Sequence, residues 1–198
     1  MTYPQVPLIL LAAGESRRMG KPKQLLAYKG NSLIRHALTM AIISNCDPII
    51  VVLGANSDRI FPELRNLPVQ ITHNALWQQG MGASIATGIK ALQEIKVDLD
   101  AVIVALADQP LITAQVYNRL VERYRSNQVK AVASNYSGTI GVPALFDRTL
   151  LPELLKMNQK GGAKQLLNQY SDRTVNLELP EAAIDIDTPA DYQKLLNI

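Results

Sequence analysis

Apolar residues along the chain fall into two kinds of run. The first kind is short and continuous. Residues 6–11, 49–53 and 101–106 are apolar almost throughout, and each is followed within a few residues by Gly14, Gly54 or the turn-forming Asp108-Gln109-Pro110. Runs of this length and character suit strands covered on both faces, as in a parallel sheet. Shorter runs at 69–72, 131–134 and 173–177 read as further strands. The second kind recurs at helical spacing. Asn31 and Ser32 can cap a helix to about residue 44, with Leu33, Ala37, Met40 and Ala41 on one face. Helices are also expected over 57–65, from about 83 to 95, over 113–126, 147–156, 162–170 and 189–196. The glycine-rich stretch 136–143 reads as a loop. Strands and helices alternate, which predicts an α/β fold: a three-layer α/β/α, Rossmann-like arrangement around a mainly parallel, mixed sheet. No linker or repeat divides residues 1–198, so one domain is expected.

In sheets of this kind ligands bind beyond the carboxyl ends of the strands, and chemistry should be sought there. After the first strand comes Leu11-Ala12-Ala13-Gly14-Glu15-Ser16-Arg17-Arg18-Met19-Gly20-Lys21-Pro22-Lys23-Gln24-Leu25-Leu26. Gly14 permits close backbone approach, and Arg17, Arg18, Lys21 and Lys23 fall within seven residues. Such a segment is either a solvated basic loop or a seat for phosphate. The phosphate-loop ATPase pattern fails, because five residues separate Gly14 from Gly20 and Pro22 follows Lys21. The dinucleotide fingerprint G-x-G-x-x-G fails as well, which disfavours a nicotinamide oxidoreductase.

Two aspartates stand at other strand ends. Asp108 follows the central strand, where a carboxylate is a turn residue or a ligand for Mg²⁺. Asp187 precedes Thr188-Pro189, a common helix start. Asp185 and Asp187 are two apart, so on an extended segment they share a side.

Composition narrows the chemistry. The net charge is +3 with no long basic run, which suits small anions and argues against nucleic acid as a partner. The lone cysteine, Cys46, and the two histidines, His36 and His73, do not make a zinc site. His73 lies near a strand end. No apolar run approaches the ~20 residues of a membrane span. The N-terminus lacks a basic signal region, and a cytoplasmic location is expected.

The glycine segment resembles L-x-A-A-G-x-S-x-R-M-G-x-x-K-x-L-L of the molybdopterin-nucleotidyltransferase-like family. Ala12, Ala13, Gly14, Ser16, Arg18, Met19, Gly20, Lys23, Leu25 and Leu26 all match. Ala107-Asp108-Gln109-Pro110 resembles the family's A-D-Q-P, and Asp185-Ile186-Asp187-Thr188-Pro189 its D-[IV]-D-T-P. Residues 74–88 resemble N-x-x-W-x-x-G-M-G-x-S-[IL]-x-x-G, and residues 138–146 the acceptor-side G-x-x-G-x-P-x-x-F.

The resemblance implies an Mg²⁺-dependent nucleotidyltransferase acting on a nucleoside triphosphate and a phosphorylated acceptor, with molybdopterin as one candidate. It implies catalytic roles for Arg18, Lys23 and Asp108. Nucleotide binding falls to Leu11, Ala12, Ala13, Gly14, Arg18, Lys23, Asn74, Gly80, Gly82 and Ser84. Asp108 and Asp187 become metal ligands, with Asp185 behind them. Gly138, Gly141, Pro143 and Lys164 become acceptor-side residues, while Trp77 reads as a packing anchor. The Ala12-Ala13 pair favours CTP over GTP. Lys160 departs from the family, which often has an acidic residue there, and this bears on the acceptor. Transfer to a sugar or polyol phosphate is the alternative, as is a cofactor-binding maturation factor serving a molybdenum hydroxylase client.

Overall fold

The computed structural model describes residues 5–95, 98–157 and 162–198. A seven-stranded sheet forms the middle layer. Its strands are β1 (Leu8–Ala12), β4 (Ile49–Leu53), β5 (Gln70–His73), β6 (Ala101–Leu106), β7 (Ala131–Tyr136), β8 (Thr139–Asp147) and β9 (Thr174–Glu178), in the order β5-β4-β1-β6-β8-β7-β9. Every neighbouring pair is parallel except those of β8, which runs antiparallel to both β6 and β7. A two-residue hairpin, β2 (Ala27–Tyr28) with β3 (Asn31–Ser32), stands apart.

Side chains alternate across the central strands and feed two cores. Leu8, Leu10 and Ala12 face a core with Ile34 and Leu38 of α1 (Leu33–Ile42), Ile60 of α2 (Ser57–Ile60) and Leu120 of α4 (Ala114–Arg125). Ile9 and Leu11 face the opposite core with Ile85 and Ile89 of α3 (Met81–Glu94), Leu154 of α5 (Leu151–Leu155) and Leu166 of α6 (Ala163–Gln169). Both faces of β1, β4 and most of β6 are buried, which is why those segments are apolar throughout. The expected three-layer architecture is therefore present. Ser32 caps α1 by accepting the Arg35 N–H, as its position implied.

One expectation is overturned. The stretch 136–143 is a β-hairpin, not a loop: the left-handed pair Ser137-Gly138 turns β7 into β8. Proline inside a strand obscured this. The β7–β8 register shifts after Ala133, so that Ala133 pairs with Ala144 but Ser134 pairs with Gly141. Pro143, which has no N–H to give a ladder, sits in that irregularity. The Ser134 hydroxyl donates to its carbonyl at 2.5 Å.

A third, smaller core holds Met19, Leu26, Tyr28, Leu33, Ile186 and Leu195, the last from α7 (Pro189–Leu196). It ties the basic glycine segment to the C-terminal aspartate segment.

Candidate active site

Three chain segments meet at the carboxyl ends of β1 and β6. The glycine segment leaves β1 and makes two short 3₁₀ turns, Arg17–Met19 and Lys23–Leu25. Asp108 follows β6. The segment 184–188 runs alongside it, because the Ile186 N–H donates to the Asp108 carbonyl at 3.0 Å. Ile186 is fully buried in the third core, so Asp185 and Asp187 on either side are turned the other way. Met19, buried in the same core, fixes its neighbour Arg18.

The result is a compact charge cluster. The Lys23 ammonium donates to Asp108 Oδ2 and, at 2.7 Å, to Asp187 Oδ1. The Arg18 guanidinium donates to the other Asp187 oxygen at 2.6 Å. Residues 164 to 169 positions apart in sequence thus share one point. Burial alone would lower the Lys23 pKa, but the facing carboxylates outweigh it and hold the ammonium above its ordinary value. Burial works to raise the Asp187 carboxyl, and the bonds and charges of Lys23 and Arg18 hold it below the usual range instead. Asp185 accepts no hydrogen bond from those cations: burial and then the Asp108 charge push it up to about 6, against the Gln109 amide and the Lys23 charge.

Asp108 Oδ1 is buried with no hydrogen-bond partner. A buried orphan acceptor calls for a partner. Two carboxylates converging on one ammonium, one of them with a lone oxygen, match the donor set Mg²⁺ prefers: one or two carboxylates, completed by phosphate and water. Among the described residues no group of three or more His, Cys, Asp or Glu side chains is placed to hold a metal.

Beside this cluster lies a cleft of about 260 Å³. Leu11, Ala13, Gly14 and Lys23 form one wall, Leu106, Ala107 and Asp108 the floor, and Trp77, Gly80, Met81 and Ser84 the other wall. Gly80, at φ 98°, opens α3 without a side-chain cap, which leaves first-turn N–H groups for a ligand. Asn74 is buried and turned inward: it donates to the Ser84 hydroxyl at 2.9 Å and accepts the Leu76 N–H at 2.9 Å. It positions Ser84 and does not itself line the cleft, and neither do Ala12, Gly82 or the exposed His73. Trp77 lines the cleft as well as packing.

Of the residues expected to face an acceptor, Gly138 occupies the hairpin turn, and Gly141 and Pro143 are buried in β8. Lys164 donates to the Thr139 hydroxyl at 2.5 Å, joining α6 to that hairpin. A Cβ on Gly141 would collide with the Tyr136 hydroxyl, so glycine there makes room for the phenol. The Tyr136 pKa is raised by burial and by the charges of Asp185 and Asp108. Lys160 lies outside the described residues.

Two positions carry the geometry without showing in the sequence. A Cβ on Gly54 would stand 2.7 Å from the Trp77 Cβ and 2.8 Å from the Ala13 carbonyl, so this glycine lets the two cleft walls touch. Gln109 is 2% exposed and donates to the carbonyls of Val142, at 3.2 Å, and Ala182, at 2.9 Å. It thereby uses the carbonyl beside the β8 irregularity to bind the hairpin to the turn that carries Asp108. A buried polar side chain shows its partners only once the chain is folded.

Residues 8–174 match the family described as MobA-like NTP transferase domain. The chain belongs to this family. It is an enzyme of the nucleotidyltransferase class, as the glycine segment and the paired aspartates led us to expect. Relatives spanning nearly the whole chain carry several names. Nicotine blue oxidoreductase of Paenarthrobacter nicotinovorans is 28% identical, over 98% of this chain and 97% of its own length. The purine catabolism protein PucB of Bacillus subtilis is 28% identical, over 97% and 96%. The molybdenum cofactor cytidylyltransferase of Escherichia coli is 24% identical, over 94% and 93%. Among solved structures, Rv0371c of Mycobacterium tuberculosis shares the fold with a TM-score of 0.80 at 24% identity, covering 98% of this chain and 99% of that one. A nucleotidyl transferase of Methanothermobacter gives 0.80 at 22% identity, covering 98% and 96%.

Proposed function

We propose that the protein transfers CMP from CTP to the phosphate of a molybdopterin-type acceptor, with Mg²⁺ as the cation, and releases pyrophosphate. The convergence of Lys23, Arg18, Asp108 and Asp187 beside the cleft that Ala13 and Gly14 line supports this reading. The acceptor phosphate oxygen attacks the α-phosphorus in line. The bond from that phosphorus to the bridging oxygen of the β-phosphate breaks, and pyrophosphate leaves with the electron pair. A phosphate monoester is already anionic, so the protein's task is positioning and charge neutralisation. Lys23 and Arg18 neutralise charge on the phosphates and on the leaving pyrophosphate. Asp108 and Asp187 would hold Mg²⁺, which when bound draws charge from the phosphate oxygens. A manganese complex of the Mycobacterium tuberculosis neighbour, with a TM-score of 0.79, agrees with a divalent cation in this fold.

The base and the acceptor rest on finer observations. Ala12-Ala13 leads us to favour cytosine, in keeping with the Escherichia coli cytidylyltransferase, although a relative 29% identical is named a probable molybdenum cofactor guanylyltransferase. The name of the Paenarthrobacter relative, nicotine blue oxidoreductase, raises a second reading, an oxidoreductase reaction. The four charged groups around one point favour phosphate over that chemistry, since hydride transfer has no use for a paired-carboxylate cation site. The deciding assay is pyrophosphate release with each triphosphate, with and without molybdopterin, beside consumption of NADH and NADPH. Acceptor-dependent pyrophosphate with CTP, and a product heavier by one CMP, supports the proposal. Reduced nicotinamide consumption without pyrophosphate overturns it.

A further inference from the structure

The glycine segment would cradle phosphate only if its amide hydrogens face outward, and a glycine-containing turn has no intrinsic reason to hold them so. One side chain supplies the reason. Gln24 lies on the second 3₁₀ turn, directly after Lys23, and is 3% exposed. Its amide nitrogen donates to the carbonyls of Ala12 and Gly14, both at 3.1 Å. The Ser16 hydroxyl donates to the Gln24 oxygen at 3.4 Å and accepts the Lys23 N–H at 3.1 Å. Ser16 itself is held left-handed, at φ 63° and ψ 37°.

In a trans peptide the carbonyl and the next N–H point in opposite directions. Drawing the Ala12 and Gly14 carbonyls toward Gln24 therefore sends the N–H groups of Ala13 and Glu15 the other way. The N–H groups of Gly14, Glu15 and Ser16 donate to no acceptor among the described residues. Successive free amides in such a turn form an anion-binding concavity. A buried position that served packing alone would be filled by leucine or methionine. Glutamine fits because its two amide hydrogens can hold two alternate carbonyls at once.

We propose that Gln24 is a positioning residue for the triphosphate: it holds the loop carbonyls back, orients the amide cradle, and through Ser16 fixes the backbone of Lys23. This inference rests on the triphosphate reading above. Gln24→Met keeps the volume and removes both donors. Inorganic tripolyphosphate with Mg²⁺ is the probe, since it carries no base and needs no acceptor, and calorimetry is the readout. Binding to Gln24→Met should be about tenfold weaker than to wild type. In turnover assays KM for the triphosphate should rise while KM for the acceptor stays unchanged. Equal tripolyphosphate affinity in wild type and Gln24→Met overturns the assignment of Gln24 alone. Should Gln24→Met fail to fold, Ser16→Ala removes the hydroxyl link at a partly exposed site. It should weaken tripolyphosphate binding severalfold, and unchanged affinity there counts against the assignment. A wild-type protein that binds no tripolyphosphate overturns both the triphosphate reading and the inference.

Discussion

Arg18 and Asp108 separate function from stability at the scale of single residues. The Arg18 side chain is 70% exposed, and its pair with Asp187 lies in solvent. Exposed pairs contribute about 0–1 kcal/mol. Arg18→Ala should therefore leave the melting temperature nearly unchanged and raise KM for the triphosphate, which thermal denaturation and steady-state kinetics together would show. Asp108 is a different case: its side chain is only 19% exposed and lies against the Lys23 ammonium, whose side chain is 12% exposed. Asp108→Ala should remain folded, with Lys23 still held by Asp187, and lose transfer by about a hundredfold or more. Wild-type turnover in that variant would remove Asp108 from the metal site. The sequence disclosed these residues because each follows a strand and carries a charge. It hid Gln24, Gln109 and Gly54, whose work is done by buried hydrogen bonds or by the absence of a Cβ, and neither leaves a periodic or charge pattern.

Among the elements, the two ends of the β8 hairpin behave differently. At its far end Asp147 accepts hydrogen bonds from the Thr149 N–H, at 2.9 Å, and from the Tyr124 hydroxyl of α4, at 2.6 Å. Burial would raise its carboxyl, and these bonds with the Lys130 charge hold it below its ordinary value of 3.8. A depressed carboxyl stabilises the fold above the unfolded-state value, and that contribution is lost as pH falls through the lower folded-state value. Asp147→Asn should thus destabilise the protein at pH 7, with the difference shrinking below about pH 4 in urea titrations at several pH values. A difference independent of pH would mean that packing, not charge, is lost. At the other end, proline and two glycines made the strand resemble a loop. Proline is read as a breaker because it lacks a ladder donor, and only the pairing shift at Ala133/Ser134 shows that no donor was needed there. The central strands β1, β4 and β6 were legible because burial on both faces leaves unbroken apolar runs. Where the two cleft walls touch, Gly54→Ala would press on Ala13 and Trp77, and a backbone carbonyl cannot yield as a side chain can. Overpacking of this kind costs about 1–3 kcal/mol. Chemical denaturation should show that loss, together with weaker triphosphate binding. A variant as stable as wild type would show that the two walls can separate freely.

Across the whole molecule, one small apolar core decides whether distant segments meet. Met19 and Ile186 are buried in it together, and their charged neighbours Arg18 and Asp187 bond to each other beside the cleft. The topology then places this junction where β1 and β6 lie side by side, parallel and open at their carboxyl ends. The apolar pattern foretold the α/β class, and the motifs named the charges that the fold brings together. How they meet depends on contacts between residues more than 160 positions apart, which no local pattern records. The central claim is that Asp108 and Asp187 hold a single divalent cation together with a triphosphate. The most direct measurement is the uptake of Mn²⁺, followed by the electron paramagnetic resonance of the free ion, with and without CTP. Wild type should take up Mn²⁺ tightly only when CTP is present, and Asp108→Ala and Asp187→Ala should lose that uptake. Uptake in both variants equal to that of wild type, or no CTP-dependent uptake by wild type, would contradict the account.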